Sequence, residues 1–237
     1  MLPIRDDVPT RRFPIVTLGL IAANTIVFVW EIGGTSLDHD VFKYGFYPCK
    51  LDGPCLPPPD PSLPAGTLSW WEGAFTSMFL HGSWSHIFGN MLFLWIFGNN
   101  VEDVIGRFRF LAWYLAGGLA ATATQTFVTL SFADAEAASV PNIGASGAIS
   151  AVLGAYLLLY PTARVLTLVA WFPFEIPAFL YLGFWFLFQL WSGSYSVMNP
   201  EAGGGVAFFA HVGGFVFGAA TIYLVAQRRP RPPRPAY

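Results

Sequence analysis

Long apolar runs with few charges among them leave this chain little choice of solvent. The runs fall near residues 14–30, 86–101, 110–130, 146–160, 176–191 and 206–226. Their lengths lie around the lower limit of roughly 17 residues for a membrane-spanning helix. Only 11% of the residues are charged and 54% are hydrophobic, against about 25% charged in a soluble domain. The expected fold class is an all-α polytopic membrane protein with six transmembrane helices, the fourth of them short. Three divisions are expected: a cytoplasmic N-terminal segment (1–13), a membrane domain (14–226) and a disordered Arg/Pro-rich cytoplasmic tail (227–237). No cleavable leader pattern precedes the first run. With a net charge of −2 and no basic patch in a foldable soluble region, nucleic acid is not an expected partner.

The basic residues test the six-span layout. With the N-terminus inside, Arg5, Arg11, Arg12, Arg107, Arg109, Arg164, Arg228, Arg229, Arg231 and Arg234 all fall inside. Only Lys43 and Lys50 fall outside, so ten of the twelve basic residues obey the positive-inside rule. An odd number of spans would spoil the split. Between the first two spans, residues 33–69 form a Pro-rich loop long enough to hold structure of its own. Residues 165–175, broken by Pro173 and Glu175, read as an interfacial or re-entrant piece before the fifth span.

Polar groups inside such runs are costly and mark function. Three sets stand out: His81-x4-His86-x3-Asn90, Gly144-Ala145-Ser146-Gly147, and His211-Val212-Gly213-Gly214-x3-Gly218. From Ser146 to Tyr160 a helix is roughly 22 Å long, and Pro161 ends it. The hydrocarbon core is roughly 30 Å thick, so Ser146 lies roughly 8 Å below the outer boundary. Irregular backbone at that depth needs protein or a water-filled cavity beside it. His211 is about five residues into the last span, roughly 7.5 Å deep, on a helix parallel to that of Ser146. Gly147, Ala151 and Ala155 on one helix, and Gly214 and Gly218 on the other, allow close small-residue packing.

A serine hydroxyl attacks only when a base takes its proton, and imidazole suits that task near neutral pH. An acyl-transfer oxyanion needs donors. Candidates are the Asn90 amide, a His86 ring N–H, and backbone N–H groups at Gly144 and Ser146. No acidic residue is placed to orient His211, so the expected site is a Ser146–His211 dyad. His81 lies off the His86–Asn90 face and is expected to be structural. The His81/His86 spacing does not suit a metal, and no metal or other cofactor is expected. Cys49 and Cys55, in the outer loop, are a candidate disulfide.

These three motifs, in this order and each at the head of a span, resemble the rhomboid family of intramembrane serine proteases, of the bacterial six-span type. The run Phe97-Gly98-Asn99-Asn100-Val101-Glu102-Asp103 is similar as well, and the likeness extends over about residues 70–226. The resemblance implies a rhomboid-like bundle with Ser146 as nucleophile, His211 as base, and His86 and Asn90 at the oxyanion. It implies substrates that are single-span membrane proteins in the lipid bilayer, cut in or near the membrane after small residues. It also makes the fifth span a candidate lateral gate. Many family members carry an aromatic residue four positions after the serine. Here that position is Ser150, which leaves Phe208 or Phe215 as candidates to hold His211.

Two other readings compete with the protease. A catalytically inactive rhomboid-like protein would bind membrane proteins without cutting them, yet such relatives usually lack the serine or the histidine. A small transporter would show internal repeats and polar groups at mid-membrane, and neither is present. The charge distribution, together with abundant Ala, Gly, Pro and Arg, suggests a bacterial plasma membrane. Both termini would be cytoplasmic and the site would open outward.

Overall fold

The computed structural model describes residues 1–199, 206–230 and 232. The glycine run 203–205 and Arg231 and Arg234 of the tail lie outside the described residues. In chain order the elements are β1 (Leu2–Asp6), α1 (Ile15–Gly33), α2 (Leu37–Tyr44), α3 (Trp70–Thr76), α4 (Trp84–Phe93), α5 (Asn99–Ile105), α6 (Arg107–Phe132), α7 (Ala135–Ala138), α8 (Ser146–Leu159), β2 (Arg164–Val169), β3 (Phe172–Pro177), α9 (Ala178–Met198) and α10 (Phe208–Val225). A π-helical turn, Leu94–Gly98, joins α4 to α5 without a break in the backbone.

Helix α8 is the axis of the bundle. Gly147 through Tyr156 are all buried, as expected of a helix that is apolar all round. It packs against α10, α6 and α9 and against the π-helical turn. The α8–α10 contact is backbone to backbone. A Cβ on Gly218 would stand 1.9 Å from the Ala151 carbonyl oxygen, and one on Gly214 would stand 2.1 Å from that of Gly147. In return, a Cβ on Gly154 would stand 2.0 Å from the Phe215 carbonyl oxygen.

Buried carboxylates tie α1 to its neighbours. Glu102 accepts from Val16 N (3.1 Å), Thr17 N (2.7 Å) and Thr17 Oγ1 (2.7 Å). This caps the positive end of α1, where an anion is favoured. At the other end of α1, Glu31 accepts from His81 N at 3.2 Å. Serine side chains begin three of the shorter helices: Ser36 Oγ accepts from His39 N at α2 and Ser83 Oγ from His86 N at α4, while Ser69 and Glu72 form a capping box at α3.

The all-α expectation needs correction. β1, β2 and β3 form an antiparallel sheet in that order. The segment read as interfacial or re-entrant is therefore a β-hairpin. Val169 pairs with Phe172, so the turn is only Ala170–Trp171, both at positive φ (47° and 74°). That is the backbone twist a two-residue hairpin requires. Val165 and Thr167 are fully buried, and β1 packs against α4 and the π-helical turn. Asp6 of β1 accepts from Tyr156 Oη (2.6 Å) and Asn100 Nδ2 (2.5 Å), which fixes the sheet to the lower end of α8.

The mostly helical bundle is as expected, but the structure does not establish six spans. Among the described residues two helices, α1 and α10, are long and apolar enough to cross a membrane, and α8 is apolar but shorter. In the loop 33–69, Cys49 and Cys55 are joined, with Cα atoms 5.2 Å apart. A backbone bridge pairs Phe46 with Asn142, tying this loop to the segment that leads into α8.

Candidate active site

Ser146 is the first residue of α8 and His211 lies in the first turns of α10. The close α8–α10 packing brings them together: Ser146 Oγ is 2.8 Å from His211 Nε2. They stand in a cavity of about 600 Å³, lined also by His86, Asn90, Ser150, Trp185 and Gln189. Ser146 and His211 are at the heads of their helices, whereas the tails of α8 and α10 meet β1 and residues 103–104. The cavity is thus displaced toward the end of the bundle away from the sheet.

Three of the upstream polar residues form one cluster. His81 Nδ1 donates to the Phe79 carbonyl (3.2 Å), which leaves Nε2 to accept from Asn90 Nδ2 (3.0 Å). An amide nitrogen has two hydrogens, so Asn90 keeps a second N–H. The His81 and His86 rings meet edge to face, with centroids 5.0 Å apart. His86 Nε2 lies 2.7 Å from where a Cβ on Gly144 would stand. Gly144 has φ +112°, a conformation that side chains resist. Its N–H donates to the Ser77 carbonyl at 2.7 Å, so Gly144 shapes the approach to Ser146 and is not a free oxyanion donor. The Ser146 N–H belongs to the first turn of α8, where no intrahelical acceptor exists.

Two residues on α9 enter the site that the sequence did not single out. Gln189 Oε1 is 2.8 Å from His211 Nδ1. The Trp185 ring lies over His211, with centroids 5.9 Å apart and planes inclined by 36°. Neither Phe208 nor Phe215 holds the histidine; Phe215 stacks on Phe186, with centroids 4.6 Å apart. Ser150 leaves its position open and donates back to the Ser146 carbonyl at 2.6 Å. The one sequence signal for Gln189 was an amide inside an aromatic-rich apolar run.

A match to the Rhomboid domain covers residues 67–228. The chain belongs to the rhomboid family. Members of this family are generally intramembrane serine proteases. Among curated relatives, the chain is 32% identical over 148 residues to presenilin-associated rhomboid-like protein A, mitochondrial, of Danio rerio, covering 62% of this chain and 33% of that protein. It is 32% identical over 148 residues to Rhomboid protein 1, mitochondrial, of Saccharomyces cerevisiae, covering 60% and 38%. It is 28% identical over 210 residues to RHOMBOID-like protein 12, mitochondrial, of Arabidopsis thaliana, covering 84% and 55%. The matched part is about a third to a half of these relatives' lengths. Their names place them in mitochondria, which overturns the expectation of a bacterial plasma membrane. Arginine placement distinguishes the two faces of a membrane, and amino-acid composition does not identify the membrane itself.

Proposed function

We propose that this rhomboid protein is an intramembrane serine endopeptidase that hydrolyses peptide bonds in or near the membrane segment of single-span proteins. The observation that carries the reading is the 2.8 Å contact between Ser146 Oγ and His211 Nε2 in a cavity set within an apolar bundle. In the reaction Ser146 Oγ attacks the scissile carbonyl carbon as its proton passes to His211 Nε2. The C=O becomes an oxyanion, met by the second N–H of Asn90, a ring N–H of His86 and the Ser146 backbone N–H. The C–N bond then breaks, and the imidazolium returns its proton to the leaving amine. Water attacks the resulting ester by the same base catalysis and frees Ser146.

Six membrane crossings suit this reading. Besides α1 and α10, the rod from Trp84 to Ile105 is roughly 33 Å long, α6 roughly 39 Å and α9 roughly 31 Å. Short α8 packs against α6, α9, α10 and the Trp84–Ile105 rod. The outward side chains Phe184, Leu187 and Trp191 on α9 are more than 60% exposed, which suits a face turned to lipid. A fluorophosphonate probe tests the nucleophile directly. Labelling should map to Ser146 and be lost in His211→Ala. Labelling at another serine, or undiminished labelling in His211→Ala, would contradict the assignment.

A further inference from the structure

His211 has one ring nitrogen for Ser146, and the other is held by α9. Neutral imidazole carries its proton on one nitrogen only, and the hydrogen bond made by the other decides which. Gln189 Oε1 can only accept, so the 2.8 Å contact at Nδ1 puts the proton there. Nε2 then keeps its lone pair and faces the Ser146 hydroxyl at 2.8 Å. The opposite tautomer would point an N–H at Ser146 and could not take its proton.

The ring is also held from the same helix. Trp185 and Gln189 are four residues apart on α9, so they share a face, and both meet His211. Gln189 is only 6% exposed, although much of α9 is open. One turn further, a Cβ on Gly193 would come within 3.0 Å of Phe209 Cε2 and 3.1 Å of Phe208 Cβ. Glycine there lets α10 approach α9 closely, and the reach of the Gln189 side chain depends on that approach. Ser150 offers no ring to take over the task.

We propose that Gln189 is a positioning residue for His211, fixing its tautomer and coupling the base to the seating of α9 against α10. The proposal rests on the protease reading for its consequence in catalysis, but the tautomer can be read without turnover. In a polar catalytic unit, loss of such a partner typically costs 10-fold or more. Gln189→Leu removes the acceptor at similar volume, and Gln189→Glu keeps an acceptor oxygen.

The test combines ¹⁵N spectroscopy of labelled histidine with kinetics in lipid, on the full chain. Wild type should show a protonated Nδ1 and a bare Nε2 at His211. Gln189→Leu should show mixed tautomers, with kcat lowered roughly 10- to 100-fold and KM within about twofold. Gln189→Glu should recover most of kcat. Gly193→Val, with Gln189 intact, should reproduce the Leu variant's nitrogen shifts. A wild-type protein protonated at Nε2 would overturn the proposal. So would Gln189→Leu with wild-type kcat, or with lowered kcat and unchanged nitrogen shifts. If Gln189→Leu does not fold, the wild-type spectrum and the Gly193→Val spectrum decide. Wild-type protein that neither cuts nor labels at Ser146 would refute the protease reading, leaving the nitrogen shifts to judge Gln189 separately.

Discussion

Gly144 shows how much a single residue can carry without doing chemistry. Its backbone sits at φ +112°, and an added Cβ would lie 2.7 Å from His86 Nε2. Gly144→Ala therefore meets both backbone strain, about 1–3 kcal/mol, and a displaced imidazole. The expected result is lower thermal stability in detergent and roughly 10-fold or greater loss of turnover. Gly89, with nothing within 4 Å of an added Cβ, serves as the control for alanine at a cavity glycine. At this scale Ser146, His211, His86 and Asn90 were legible because each is a polar group at the head of an apolar run. Gln189 was not, since a lone amide 22 residues before His211 has no spacing signature; only the packing of α9 brings it to Nδ1. The commitment of the Gly144 N–H to the Ser77 carbonyl was equally invisible, because it depends on a long-range loop contact.

Among the elements, the α8–α10 pair decides the geometry of the site. The four-residue spacing of Gly214 and Gly218 was readable as close packing, and each lies against a carbonyl of α8. Gly218→Ala places a methyl group 1.9 Å from the Ala151 oxygen, so the helices must part. The expected cost is about 1–3 kcal/mol of stability, with reduced fluorophosphonate labelling because Ser146 and His211 separate. Thermal unfolding beside labelling rate checks this; unchanged values in both would contradict the packing account. The β2–β3 hairpin escaped the sequence reading for a clear reason. Its turn is Ala170–Trp171 rather than the Asn-Gly or Asp-Gly that usually announces two left-handed residues. Its strands alternate only weakly, since β3 is exposed over most of its length.

Across the whole molecule, the N-terminal strand closes the lower end of the bundle through Asp6. Burial raises the Asp6 carboxyl from its ordinary 3.8 to about 6, against the lowering effect of the Tyr156 hydrogen bond. The folded state thus prefers the protonated acid. The stability this contributes, at most about 3 kcal/mol, is full below about pH 4 and is lost as pH rises through about 6. Asp6→Asn, which keeps an acceptor for Tyr156 and Asn100, should flatten this part of the melting-temperature profile between pH 4 and 7. A variant whose slope equals that of wild type would contradict the assignment. The apolar character of the bundle was plain in the sequence, whereas the membrane it occupies was not, because hydropathy and charge order the spans without naming the compartment. Hydrolysis by Ser146 and His211 can be read from cleavage of a single-span substrate in liposomes. The substrate would carry a small residue and helix breakers near one end of its span. Wild type should cut it, while Ser146→Ala and His211→Ala should each lose roughly 10⁴-fold or more of the rate. Cutting that survives Ser146→Ala, or a folded wild type that cuts no such substrate, would contradict the account.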